Sequence, residues 1–164
     1  MNKPLLGLDV DGVLNAFASP YDLPTHTEAY VGGYWVLLNT EDHPKWIAEL
    51  QEHFEIVWAT MWTHNANEFI APILDIGPFP VIDHNAIPES VDQRQLGSID
   101  SLKIVTIDPF VGDRPFAWID DDISVAAKTW ASARTAPTKL VAPDPIYGIE
   151  REHVDELIAW AKGL

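Results

Sequence analysis

Two aspartates one residue apart, Asp9 and Asp11, close a short apolar run and are followed at once by Gly12. Residues two apart on a regular strand share a face, so these carboxylates crowd each other. Such a pair does not stay doubly ionised cheaply unless a cation lies beside it. Gly12 permits a sharp turn just past the run, which aims Asp11 away from the strand axis. The pattern predicts a strand end built around a metal and an electrophile. The plainer alternative is a strand that runs into a solvated acidic turn. Two further apolar runs end in residues of apt chemistry, one in Thr60 and one in the triplet Asp120, Asp121 and Asp122.

The elements that must position these groups follow from periodicity. Residues 4–8, 55–60 and 116–119 are too short for helices and read as buried strands, with 79–82 and 138–141 as shorter ones. Between them, Trp46, Ile47, Leu50 and Phe54 recur at helical spacing behind Asp42-His43-Pro44. Residues 65–74 read as a helix with Phe69, Ile70, Ile73 and Leu74 inward and a kink at Pro72. Ile123, Ala126, Ala127 and Trp130 form an amphipathic face, as do Val154, Leu157, Ile158 and Ala161. Residues 103–107 fit strand or helix equally, and 84–101 is polar and weakly patterned. Around Gly32-Gly33, residues 29–31 and 34–37 form the arms of a small aromatic hairpin, which serves as packing or as a lid. Alternating strands and helices predict an α/β fold, a three-layer Rossmann-like arrangement with a central parallel sheet and helices on both faces. Ligands bind such sheets at the carboxyl ends of the strands, where all three chemical strand ends meet.

The run Asp9-Val10-Asp11-Gly12-Val13-Leu14, with the strand-end Thr60 and the acidic strand end at Asp120-Asp121 in that order, resembles the haloacid dehalogenase superfamily of phosphohydrolases. The resemblance extends from Leu5 to about Val141. It implies Asp9 as a nucleophile forming an aspartyl-phosphate, Asp11 as general acid and base, and Thr60 as a hydrogen-bond partner of the phosphoryl group. A lysine is expected upstream of the acidic strand end; Lys103 holds that position, with Lys45 and Lys128 as competitors. Asp9, Asp11, Asp120 and Asp121 are implied as the Mg²⁺ site, with Asp121 favoured over Asp120 for direct ligation and Asp122 expected to cap the next helix. Thr63, Asn65 and Asn67 suit substrate contact or helix capping, and His64 and His84 suit the cleft wall. Arg114 sits at the opposite strand end and reads as a structural ion pair. Neither interval between the motifs holds a folded cap, so a capless member with a small flap is expected.

Composition narrows the partners. At 164 residues the chain fits one domain, 1–164. A net charge of −15 opposes bulk attraction to nucleic acid or an anionic membrane. With no cysteine, neither disulfides nor thiolate metal sites are available. No apolar segment reaches the length of a membrane span, and a cleavable leader would contain Asp9, so a cytoplasmic protein is expected. A Mg²⁺-dependent phosphatase is the expected function, on a phosphorylated small molecule, protein or polynucleotide end. A non-catalytic phosphate- or partner-binding module on the same fold is the alternative.

Overall fold

The structure, a computed structural model, describes residues 2–92, 94, 96, 97 and 99–164, with the backbone alone for 99–101. Four strands form the central sheet: β1 (Leu5–Leu8), β4 (Glu55–Trp58), β5 (Phe116–Ile119) and β6 (Thr138–Val141). They run in the order β4-β1-β5-β6, and every pairing is parallel. β1 is buried along its whole length, which is why its sequence is a continuous apolar run rather than an alternating one. Gly7 leaves room for the Phe116 ring, which a side chain there would meet.

Alternate residues of the strands feed two cores. Leu6, Leu8, Ile56, Trp58, Ala117 and Ile119 pack on one face against α1 (His43–His53), α2 (Ala71–Leu74) and α5 (Arg151–Lys162). Leu5, Val57, Phe116 and Trp118 pack on the other against α3 (Ile99–Val111) and α4 (Val125–Ala133). Each large apolar side chain so buried contributes about 1.5–3 kcal/mol. The expected α/β fold with helices on both faces is therefore the observed one. Its one addition among the described residues is the two-stranded sheet of β2 (His26–Val31) and β3 (Tyr34–Asn39), with Tyr30 opposite Trp35 and Val31 opposite Tyr34. No cap domain accompanies it there.

Several local expectations change. Residues 79–82 do not form a strand. They make a single bridge, Trp58 to Val81, and Asn67 pins the start of the segment: its side chain bonds both the N–H and the C=O of Phe79, at 2.9 and 2.7 Å. Asn67 is thus a structural staple rather than a cap or a substrate contact. The helix expected over 65–74 is a π-helical turn, Ala66–Ile70, followed by α2, and Pro72, which has no N–H to offer the preceding turn, stands at the start of α2. α4 is capped by Ser124, whose hydroxyl accepts the amides of Ala126 and Ala127; Asp122 is not the cap, and Ala126 is exposed rather than inward. Residues 103–107 are helical, within α3. Of the weakly patterned stretch 84–101, residues 93, 95 and 98 lie outside the described ones. Among the described residues no helix is long and apolar enough to cross a membrane.

Candidate active site

The register of the sheet builds the site. Leu8 pairs with Trp58 on one side and Ile119 on the other, so Asp9, Ala59-Thr60 and Asp120 leave the sheet at one level. The Asp9 amide still bonds the Ile119 carbonyl at 3.2 Å, which holds Asp9 and Asp120 side by side. After Asp9 the chain turns tightly: the amides of Val13, Leu14 and Asn15 all converge on the Val10 carbonyl. Gly12, at φ +73°, stands under Asp121, and a Cβ there would overlap that carboxylate. Glycine at this place is therefore required by the neighbouring acid as much as by the turn.

Lys103, on α3, reaches into this edge. Its ammonium donates to Asp9 Oδ2 at 2.9 Å and to Asp120 Oδ2 at 2.6 Å, with all three side chains buried. The competing lysines are elsewhere: Lys45 pairs with Asp42 at the surface, and Lys128 is exposed on α4. The other Asp9 oxygen accepts the Val10 amide at 2.8 Å, and the other Asp120 oxygen accepts the Asp122 amide at 3.0 Å. Burial pushes the Asp9 carboxyl up to about 7 against the opposing pull of Lys103, with Asp120 adding to the rise. Burial and the Asp120 charge push Asp121 up to about 6. Burial works against the Lys103 ammonium, but Asp9 and Asp120 outweigh it and hold its pKa above the ordinary value.

Asp9, Asp120 and Asp121 bring one carboxylate oxygen each within 4.8 Å of one another. When all three carboxylates are ionised, the single Lys103 ammonium leaves two negative charges, the charge of one divalent cation. A set of hard oxygen donors suits Mg²⁺, which takes few carboxylates and completes its shell with water or substrate oxygens. Asp11, expected among the ligands, has its carboxylate outside this trio. It accepts Asn15 Nδ2 at 2.8 Å and the Trp62 indole N–H at 2.9 Å. Asp9, Asp11, Met61, Lys103 and Asp120 to Asp122 line an open cleft of about 270 Å³.

Thr60 is buried at the β4 end, and its hydroxyl oxygen accepts the Trp62 amide at 3.3 Å, which leaves its proton to donate. Thr63 takes a left-handed φ of 48°, an unusual conformation for a β-branched residue, in the loop that carries Trp62. His84 does not line the cleft. It is buried behind Lys103, its Nδ1 2.6 Å from the Thr106 hydroxyl, which in turn donates to the Lys103 carbonyl at 2.9 Å. Nδ1 must then carry the proton, and burial, with Lys103 nearby, pulls His84 down to about 4. His64 is exposed, and Arg114 pairs with Glu55 at 2.8 Å at the far end of the sheet. Trp62 and Asn15 escaped the sequence reading. Asn15 stands beside the motif, but nothing local reveals that Trp62, 51 residues away, returns to Asp11.

Over residues 5–154 the sequence matches the family described as the HAD domain in Swiss Army Knife RNA repair proteins. The chain belongs to this family. HAD domains are hydrolases as a class, phosphatases above all, and typically use Mg²⁺. The matched span contains every strand of the central sheet and all the acids described above. No curated protein matches the chain closely enough to count as a relative.

Proposed function

We propose that this HAD domain is a Mg²⁺-dependent phosphohydrolase that removes a terminal phosphomonoester from a polynucleotide end. The observation that carries the chemistry is the Lys103 ammonium bridging Asp9 and Asp120, with Asp121 beside them. The substrate class rests on the family description. In the first step an Asp9 carboxylate oxygen attacks phosphorus, the bond from phosphorus to the ester oxygen breaks, and Asp11 protonates that departing oxygen, which leaves as a hydroxyl. In the second, water attacks the aspartyl-phosphate while Asp11 takes its proton, releasing inorganic phosphate and restoring Asp9. Lys103 and the Thr60 hydroxyl stabilise the phosphoryl oxygens. Asp120 accepts the shorter of the two Lys103 hydrogen bonds, at 2.6 Å, and the Asp122 amide, and so orients the lysine. Asp9 and Asp121 are the principal metal ligands, with Asp120 close by. Mg²⁺ bound there supplies the positive charge that lets a carboxylate approach a phosphate dianion.

Asp9→Asn tests this reading. The amide is nearly isosteric but a poor nucleophile, so phosphate release from phosphorylated oligonucleotides should fall by about 10³-fold or more with an unchanged melting temperature. Beryllofluoride should bind the wild type and not the variant. A folded wild type that binds phosphorylated ends but turns over no phosphoester with Mg²⁺ would replace the enzyme with the binding module.

A further inference from the structure

A second cleft, of about 360 Å³, opens beside the first and shares Asp11 and Met61 with it. Its remaining wall includes Tyr34 and Trp35 from the hairpin, Trp62 and Asn65. Tyr34 and Trp35 are each 66% exposed, unusual for large aromatic side chains on a small sheet. Tyr34 meets Trp62 edge-on at 5.7 Å, and Trp35 is tilted against Tyr30 at 5.2 Å, so neither ring pair is stacked face to face. Among the described residues no Lys, Arg or His lines this cleft, and Lys103 is the one cation lining its neighbour. Asn65 adds an exposed amide with both a donor and an acceptor.

We propose that this aromatic cleft binds the unpaired base of the terminal nucleotide whose phosphate occupies the Asp9 site. The inference rests on the phosphohydrolase reading and specifies how its substrate is held. A ligand filling both clefts carries a phosphoryl group and a flat apolar ring separated by a short spacer, which is the build of a nucleotide. In an aryl phosphate such as phosphotyrosine the ring and phosphorus share one oxygen, so the ring stays in the first cleft. With no cations to follow a phosphodiester backbone, recognition falls to stacking on Tyr34, Trp35 and Trp62, with Asn65 at the base edge. This reconciles a nucleic-acid end as substrate with a chain of net charge −15.

The experiment compares oligoribonucleotides bearing a terminal phosphomonoester on either a normal or an abasic last nucleotide. The wild type should favour the normal end by about 10- to 100-fold in kcat/KM. That ratio should fall to within about twofold in Trp35→Ala and largely return in Trp35→Phe. The logarithm of kcat/KM should fall with the logarithm of salt with a slope no steeper than about −1, because only one phosphate meets a cation. Tryptophan fluorescence quenching by the two oligonucleotides with Asp9→Asn reads the same preference without turnover, so failure of hydrolysis and failure of the base site are told apart. Equal use and equal binding of normal and abasic ends, a salt slope of several, or a phosphotyrosyl peptide outpacing the oligonucleotide would each overturn the proposal.

Discussion

Asp11 is held by N–H donors from two directions, Asn15 within its own turn and Trp62 from the loop after β4. A proton-transferring carboxylate gains from such fixing, because its rotamer is set before the substrate arrives. Hydrogen bonds to a charged group contribute about 1.5–3 kcal/mol. Trp62→Phe keeps a ring in place but removes the donor. It should therefore lower kcat by about tenfold or more while leaving Mg²⁺ affinity, read by calorimetry, near the wild-type value. A matched loss of Mg²⁺ binding would mean that Trp62 supports the metal acids instead. Asn15 has a second duty: its Oδ1 accepts the Leu37 amide at 2.8 Å, which ties the hairpin to the acid.

At the scale of elements, the turn after β1 and the end of β5 are fitted to each other through Gly12 and Asp121. Gly12→Ala introduces a Cβ where the Asp121 carboxylate lies, and it also places a non-glycine residue at positive φ. The backbone term alone costs about 1–2 kcal/mol, or about 2–8 °C in melting temperature for a chain of this size. The larger effect should fall on the metal. Mg²⁺ should raise the wild-type melting temperature by ligand linkage, and most of that rise should vanish in Gly12→Ala. An undiminished rise would show that Asp121 is not a ligand. α3 acts as the other fitted element: its buried face carries Lys103, Thr106, Ile107 and Val111, so one helix delivers both the ammonium that meets Asp9 and Asp120 and part of the core.

At the scale of the whole molecule, two buried histidines among the described residues, His43 and His84, are stored neutral, and His43 is remote from the site. His43, at the start of α1, is buried against His26 and Trp46, with the Asp42 charge and the Ile149 backbone favouring its protonated form. Burial first, then His26, pulls it down to about 3. A folded-state pKa below the unfolded value means that the unfolded chain binds the proton first as the pH falls. The stability His43 contributes is thus complete above about 6.5 and is lost towards about 3. The slope is about 1.4 kcal/mol per pH unit in that window. The melting temperature of His43→Leu should therefore fall less between pH 7 and 4.5 than that of the wild type. Equal falls would place the acid sensitivity elsewhere, with His84 the next candidate.

The features legible in the sequence were those set by short stretches of chain. Apolar runs of four or five residues made β1, β4 and β5, and the abrupt change to Asp9, Thr60 and Asp120 marked where each left the sheet. The order of those runs was enough for a parallel α/β fold with the acids on one edge, because parallel strands must end together. Tertiary structure decided what local pattern leaves open. Lys103 lies 94 residues from Asp9, in a stretch whose β-branched residues fit strand or helix; packing against the sheet made it helical and aimed its ammonium at Asp9. The division between Asp120, committed to the lysine, and Asp121, poised over Gly12, depends on how two adjacent side chains diverge at a strand end. Ser124 rather than Asp122 caps α4 because the helix begins only at Val125, which puts Ser124 immediately before its first turn. Trp62 reaches Asp11 only because β4 lies beside β1, a contact that no spacing within either segment encodes.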